Sequence, residues 1–231
     1  MVEVLKGIDF AIKKGDFLII FGPSGCGKST LLHSLLGLEK PSTGETKVFD
    51  KDLYNCSQDE IANIRKQYIG MVYQQANWIK SLRVAENVRF PLLLLGKNRD
   101  EADKVARQCL EKVGMINWAD YFPMELSSGQ QQKVSLARAL INDPEVIVAD
   151  EPTGNLDTSS GEELMKLLTE LNKKGKTIVM VTHDLEYLVY GTRIIHMIDG
   201  VIDHEYKGGL KSGELKKLTS NGKKYHQGKI D

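Results

Sequence analysis

The stretch FLIIFGPSGCGKST, from Phe17 to Thr30, decides the fold. Phe17 to Phe21 is a short, continuous apolar run bounded by Gly15-Asp16 and Gly22-Pro23, the pattern of a strand buried on both faces. It empties into Gly22-Pro23-Ser24-Gly25-Cys26-Gly27-Lys28-Ser29, which fits G-x-x-x-x-G-K-[ST]. A helix is expected next, from Thr30 to Leu38, with Gly37 and Pro41 helping to end it. Glycines let the loop curl so that consecutive N–H groups point inward, and the helix N-terminus adds roughly half a positive charge. A polyphosphate fits such a nest. Gly22 to Thr30 are therefore read as a nucleotide site, with Lys28 reaching the β- and γ-phosphates and the Ser29 hydroxyl offered to Mg2+.

Three further apolar runs end in a polar group. Ile69 to Tyr73 leads to Gln74, Val146 to Ala149 to Asp150 and Glu151, and Ile178 to Thr182 to His183. In an open, mainly parallel α/β sheet, ligands bind outside the carboxyl ends of the strands, so all four segments are aimed at one cleft. Asp150 suits the second shell of Mg2+ and Glu151 the polarisation of an attacking water. Adjacent strand residues point to opposite sides, so the two carboxylates are not expected to compete. His183 joins them by its place at the fourth strand end, whereas His33, His196, His204 and His226 are read as structural.

Composition narrows the class. The 231 residues are 41% hydrophobic, enough for one sizeable domain, and 31 basic side chains balance 31 acidic ones. No overall charge therefore recommends nucleic acid or an anionic surface. The longest apolar run, Phe90 to Leu95, is far short of the ~20 residues a spanning helix needs. Met1-Val2-Glu3-Val4 lacks a secretory pattern, and Cys26, Cys56 and Cys109 are odd in number and widely spaced. Reduced thiols in the cytoplasm are expected.

Leu126-Ser127-Ser128-Gly129-Gln130-Gln131-Gln132-Lys133 carries no acid–base group for neutral pH. Ser127 with Gln130, or Ser128 with Gln131, has capping-box spacing, and Val134, Ala137, Leu140 and Ile141 then share one face of a helix. An exposed helix start bearing Ser127 and Gly129 is also a second anion site, in a chain with only one phosphate loop.

Taken together, these stretches resemble the ATP-binding cassette (ABC) ATPases. Gly22 to Ser29 is similar to their Walker A loop, Val146 to Asp150 with Glu151 to the Walker B strand, and Leu126 to Gln130 to the signature. Gln74 corresponds to the Q-loop, Asn155-Leu156-Asp157 to the D-loop and His183 to the switch histidine. Asp150 to Asp157, Glu86-Asn87-Val88 and Pro91-Leu92-Leu93 narrow the resemblance to the branch serving lipoprotein release, macrolide export and cell division.

The resemblance implies a P-loop α/β fold with a small antiparallel β-subdomain. A core (1–76 and 143–206), a helical signature subdomain (77–142) and a tail (207–231) follow from it. It also implies a homodimer, or paired cassette, in which Ser127, Gly129 and Gln130 cap ATP held by the partner. Glu151 is then the base, His183 holds phosphate and water, and Gln74 senses Mg2+ beside Ser29 and Asp150. A separate membrane permease, met at the inner face of the membrane, is the implied partner. A soluble cassette acting on DNA or ribosomes is the rival reading, but the coiled-coil or zinc insertions and second cassette usual there are missing from the sequence.

Three departures stand out. Ser128 replaces the usual second glycine, at a steric cost only if its φ is positive. Lys133 replaces arginine, keeping the charge without the planar fork. The first strand of the resemblance and its adenine-stacking aromatic would precede Val4, so measurable but reduced ATP affinity is expected. Cys26 is read as a filler in the loop, and the lysines after Lys207 as a solvated end.

Overall fold

A computed structural model describes residues 3–210. Phe17–Phe21 (β1) is buried at all five positions. Parallel to it lie Thr177–Thr182 (β6) on one side and Arg193–Ile198 (β7) on the other. Val146–Asp150 (β5) and Ile69–Tyr73 (β4) extend the sheet beyond β6, and Val201–Lys207 (β8) closes the far edge antiparallel to β7. The order is β4-β5-β6-β1-β7-β8. Lys47–Val48 (β2) and Lys51–Asp52 (β3) form the separate antiparallel ribbon.

Strand alternation divides the core in two. Leu18, Ile20, Val148, Val179 and Val181 face one way, onto Leu31 and Leu32 of the helix Lys28–Leu35 (α1). Phe17, Ile19, Ile147, Ala149, Ile178 and Met180 face the other, onto a layer of longer helices. Both faces being covered explains why these strands read as continuous apolar runs rather than alternating ones. Truncating Ile19, fully buried at the centre, to alanine would cost about 2–5 kcal/mol.

The expected helix over 30–38 begins two residues earlier and ends at Leu35. Gly27, at φ 101°, lets the loop turn directly into the helix. At the other end Gly37 is left-handed and the Leu38 N–H bonds back to the His33 carbonyl at 2.9 Å, a glycine stop.

Gln58–Tyr68 (α2) leads into β4 and is capped reciprocally by Ser57 and Glu60. Val84–Leu94 (α3), Arg99–Lys112 (α4) and Ser128–Ala139 (α5) pack on one another, and α5 also lies on β4. Thr158–Lys173 (α6) starts at Asp157, whose carboxylate accepts from the Ser160 N–H and hydroxyl. No helix among the described residues is long and apolar enough to cross a membrane. The lysine-rich tail and His226 lie outside the described residues, apart from the first few positions after Lys207.

The β7–β8 turn positions the phosphate loop. Asp199 and Gly200 both have positive φ, as a two-residue type I′ hairpin requires. The Gly200 N–H donates to the Cys26 carbonyl at 3.0 Å, and the Gly200 carbonyl accepts from the Lys6 N–H at 2.8 Å. A Cβ on Gly200 would come within 2.1 Å of the Val4 carbonyl oxygen. The hairpin and the N-terminal segment thus brace the loop from behind.

Candidate active site

The carboxyl ends of four neighbouring strands lie within one residue of one another. Tyr73 is opposite Asp150, Asp150 opposite Val181, and Thr182 opposite Phe21. Gln74, Glu151, His183 and Gly22 are each the next residue along their strands, so parallel register brings together groups far apart in sequence.

In the loop, Cys26, Gly27 and Lys28 are buried while Ser24, Gly25 and Ser29 are exposed. The Lys28 ammonium donates to the Gly22 and Pro23 carbonyls at 2.8 and 2.9 Å. A phosphate in the loop would compete with these two carbonyls for the same charge. A side chain at Gly22 would meet the Met197 carbonyl oxygen at 2.1 Å, so the loop's first glycine is set by β7 rather than by a ligand.

Asp150 ends β5, and one of its oxygens, Oδ1, is buried without a partner. Burial first, and the neighbouring Glu151 second, push its carboxyl above the usual range, opposed by His33 and Lys28. An oxygen held unsatisfied in that way fits a cation. With the Ser29 hydroxyl and the Gln74 amide, the donors are hard oxygens and few, which suits Mg2+ sharing its shell with phosphates and water. Among the described residues no three His, Cys, Asp or Glu side chains gather as a metal cage of their own.

Strand alternation does not separate Asp150 from Glu151. Glu151 lies beyond the strand with φ 47°, a left-handed position uncommon for glutamate. The turn swings its carboxylate towards His183: Glu151 Oε2 is 2.8 Å from His183 Nδ1 and accepts from the His183 N–H at 3.3 Å. Both bonds fall on Oε2, which leaves Oε1 for water. Asp184, 3.6 Å from His183 Nε2, is also within reach of the buried Thr153 hydroxyl, which donates to it at 3.4 Å.

Ser127 is the N-cap of α5, so the first of the two capping registers is the one adopted. Its hydroxyl accepts from the Gln130 N–H, and Gln130 Oε1 accepts from the Ser127 N–H. Ser128 is the first helical residue and is absent from the positive-φ positions, so it carries no steric cost there. The Ser128 and Gly129 N–H groups belong to the first turn, which no intrahelical carbonyl serves. Lys133 forms an ion pair with Glu163 of α6, on a surface where such pairs are worth about 1 kcal/mol at most.

Several contacts that shape the site carry no sequence signal of their own. Gly129 packs on α6 so closely that a Cβ would stand 2.5 Å from Ser160 Oγ. Gly154 makes room for Gln74, whose Nε2 would lie 2.8 Å from a Cβ there. Gln132, buried, donates to the Tyr73 carbonyl at 2.8 Å. Only close approach or a distant partner explains them, and neither is visible along the chain.

Residues 5–154 match the family model described as ABC transporter. The chain belongs to that family. As one of its cassettes, it is an ATPase. An uncharacterized ABC transporter ATP-binding protein of Thermotoga maritima is 42% identical over 92% of this chain and 91% of its own. The macrolide export ATP-binding/permease protein MacB of Chlorobaculum tepidum is 43% identical over 89% of this chain, which spans only 32% of that longer protein. Among solved structures, the cassette resembles MJ0796, whose sequence is from Methanocaldococcus jannaschii, in a dimeric post-hydrolysis state bound to ADP and Pi. That match has a TM-score of 0.81 at 42% identity and covers 88% of this chain and 90% of the other.

Proposed function

We propose that two copies of this cassette, or one copy and a paired cassette, close around two ATP molecules. Each Walker A loop then faces the other subunit's signature. The observation that carries the reading is the Glu151–His183 pair standing level with the Gly22–Ser29 loop. In a two-fold assembly one loop–signature pairing creates the second, which gives the Ser127–Gly129 helix start a phosphate that its own loop does not supply. The dimeric MJ0796 structure supports this arrangement.

Ser29, Gln74 and Asp150 would hold Mg2+, which when bound neutralises charge on the β- and γ-phosphates. Lys28 leaves the Gly22 and Pro23 carbonyls for phosphate oxygens. Glu151 Oε1 takes a proton from the attacking water while Oε2 stays on His183. His183 orients that carboxylate and the γ-phosphate, and Ser127, Gly129 and Gln130 close the site from the other subunit. Loss of the γ-phosphate removes the group that both subunits grip.

Residues 77–142 then move as a helical subdomain against the core, and a membrane permease takes up the motion at the inner face. A groove of about 320 Å³ between the two parts supports this; its lining includes Leu38, Tyr73, Leu94, Arg65, Lys66 and Arg138. Apolar side chains beside basic ones suit an amphipathic cytoplasmic segment bearing carboxylates. The likeness to MacB supports a permease partner of the macrolide-export kind.

The deciding experiment is the mass of Glu151→Gln with and without ATP, measured by light scattering. A dimer is expected with ATP and a monomer without; a chain monomeric under both conditions overturns the composite site.

A further inference from the structure

Backbone groups of the loop between β4 and α3, and of Tyr73 just before it, are held by side chains from outside it. The Tyr73 carbonyl accepts from Gln132, and the Ala76 carbonyl from Arg138. Asn87, buried on α3, bonds both the N–H and the carbonyl of Ile79. Trp78 lies between these anchors. Its indole Nε1–H donates to Gln131 Oε1 at 2.8 Å, and Gln131 Nε2 donates on to the Leu126 carbonyl at 3.0 Å. The Arg138 guanidinium sits 4.7 Å over the same ring, a cation–π contact that fixes the indole plane. Just before it, Asn77 has φ 46°, so the indole is presented by a turn that asparagine tolerates better than most residues.

We propose that Trp78 is a positioning residue which ties the loop carrying Gln74 to the signature, so that the two shift together. Displacement of the loop reaches Ser127 through two hydrogen bonds in series, Trp78 to Gln131 and Gln131 to Leu126, the residue just before the cap. Gln131 is the transmitting element because its amide accepts at one end and donates at the other. A glutamate would keep the first bond and lose the second; a phenylalanine at 78 would keep the stack on Arg138 and lose the first. The proposal rests on the composite-site reading, since a signature acting across a dimer is what gives its position an effect on turnover.

The test uses full-length chain with and without Glu151→Gln. Trp78→Phe is expected to leave ATP affinity of the isolated cassette within about twofold, while weakening ATP-driven dimerisation and lowering kcat about tenfold, the scale of one lost hydrogen bond. Gln131→Glu should do the same, and the double variant no more than either single one. Trp118→Phe leaves Trp78 as the sole tryptophan, and its emission should shift on ATP-driven assembly. If Trp78→Phe dimerises and turns over like the parent, or if its losses follow reduced monomer affinity and melting temperature alone, Trp78 is packing and the proposal fails. If Glu151→Gln with native Trp78 stays monomeric in ATP, the composite-site reading falls first and takes this one with it.

Discussion

Glu151 and His183 face each other at 2.8 Å across the gap between β5 and β6, and the same glutamate oxygen also takes the histidine's backbone N–H. An ionised carboxylate only accepts, so His183 Nδ1 carries the proton in that pair. The histidine therefore aims the glutamate. A general base is worth about 10²–10⁴ in rate, and Glu151→Gln should lose that much kcat. His183→Ala should lose a large part of it, and the double variant little more than Glu151→Gln alone. Steady-state phosphate release measures all three; full additivity would separate the two roles.

Asp150 is expected to cost stability at neutral pH. Burial holds its folded carboxyl above the ordinary value, so the protonated form favours folding and that advantage is lost as pH rises through the folded value. Asp150→Asn should melt higher than the parent at pH 7–8, as read by thermal melts. The gap should narrow as pH falls through the carboxylate range. Mg2+ with nucleotide should raise the parent's melting temperature and leave the variant's nearly unchanged.

Gly129 is expected to matter first as a spacer. Alanine there meets Ser160 and should push α5 from α6, costing about 1–3 kcal/mol and lowering kcat by displacing the signature. Ser160→Gly in the same chain should restore both, as read by thermal melts and turnover. Failure of the second change to rescue would place the effect at the phosphate instead.

Mixed dimers test the crossed sites. Lys28→Ala spoils a chain's own loop and Ser127→Arg its signature, so each alone should be inactive. An equal mixture contains half mixed dimers, each with one intact site, and should recover at most about a quarter of parental turnover. No recovery on mixing, or full activity of either variant alone, contradicts the crossed arrangement.

The strand–glycine-loop–helix unit and the polar strand ends were legible because their signals are local: apolar runs, turn glycines and one short motif. Of the three successive glutamines at the end of the signature, two were not. Gln130 caps its own helix, which spacing revealed, but Gln131 answers Trp78 and Gln132 answers Tyr73, more than fifty positions upstream. Gly129 and Gly154 looked like members of motifs and proved also to be points of close approach. The separation of Asp150 from Glu151 was expected from strand alternation and comes from a left-handed turn, which one sequence does not announce.

The fixed register of the ends of β4, β5, β6 and β1 has a consequence for how such a chain can change over time. A side chain within one of these strands can be exchanged for another apolar one of similar size and leave Gln74, Glu151, His183 and Gly22 in place. Adding or removing one residue cannot, because it raises or lowers one group by a strand step of about 3.3 Å and turns the strand's faces inside out. In the central strands, length is therefore held more strictly than identity. Insertions belong in the connections, such as the exposed turn between α3 and α4, where nothing downstream is counted in register.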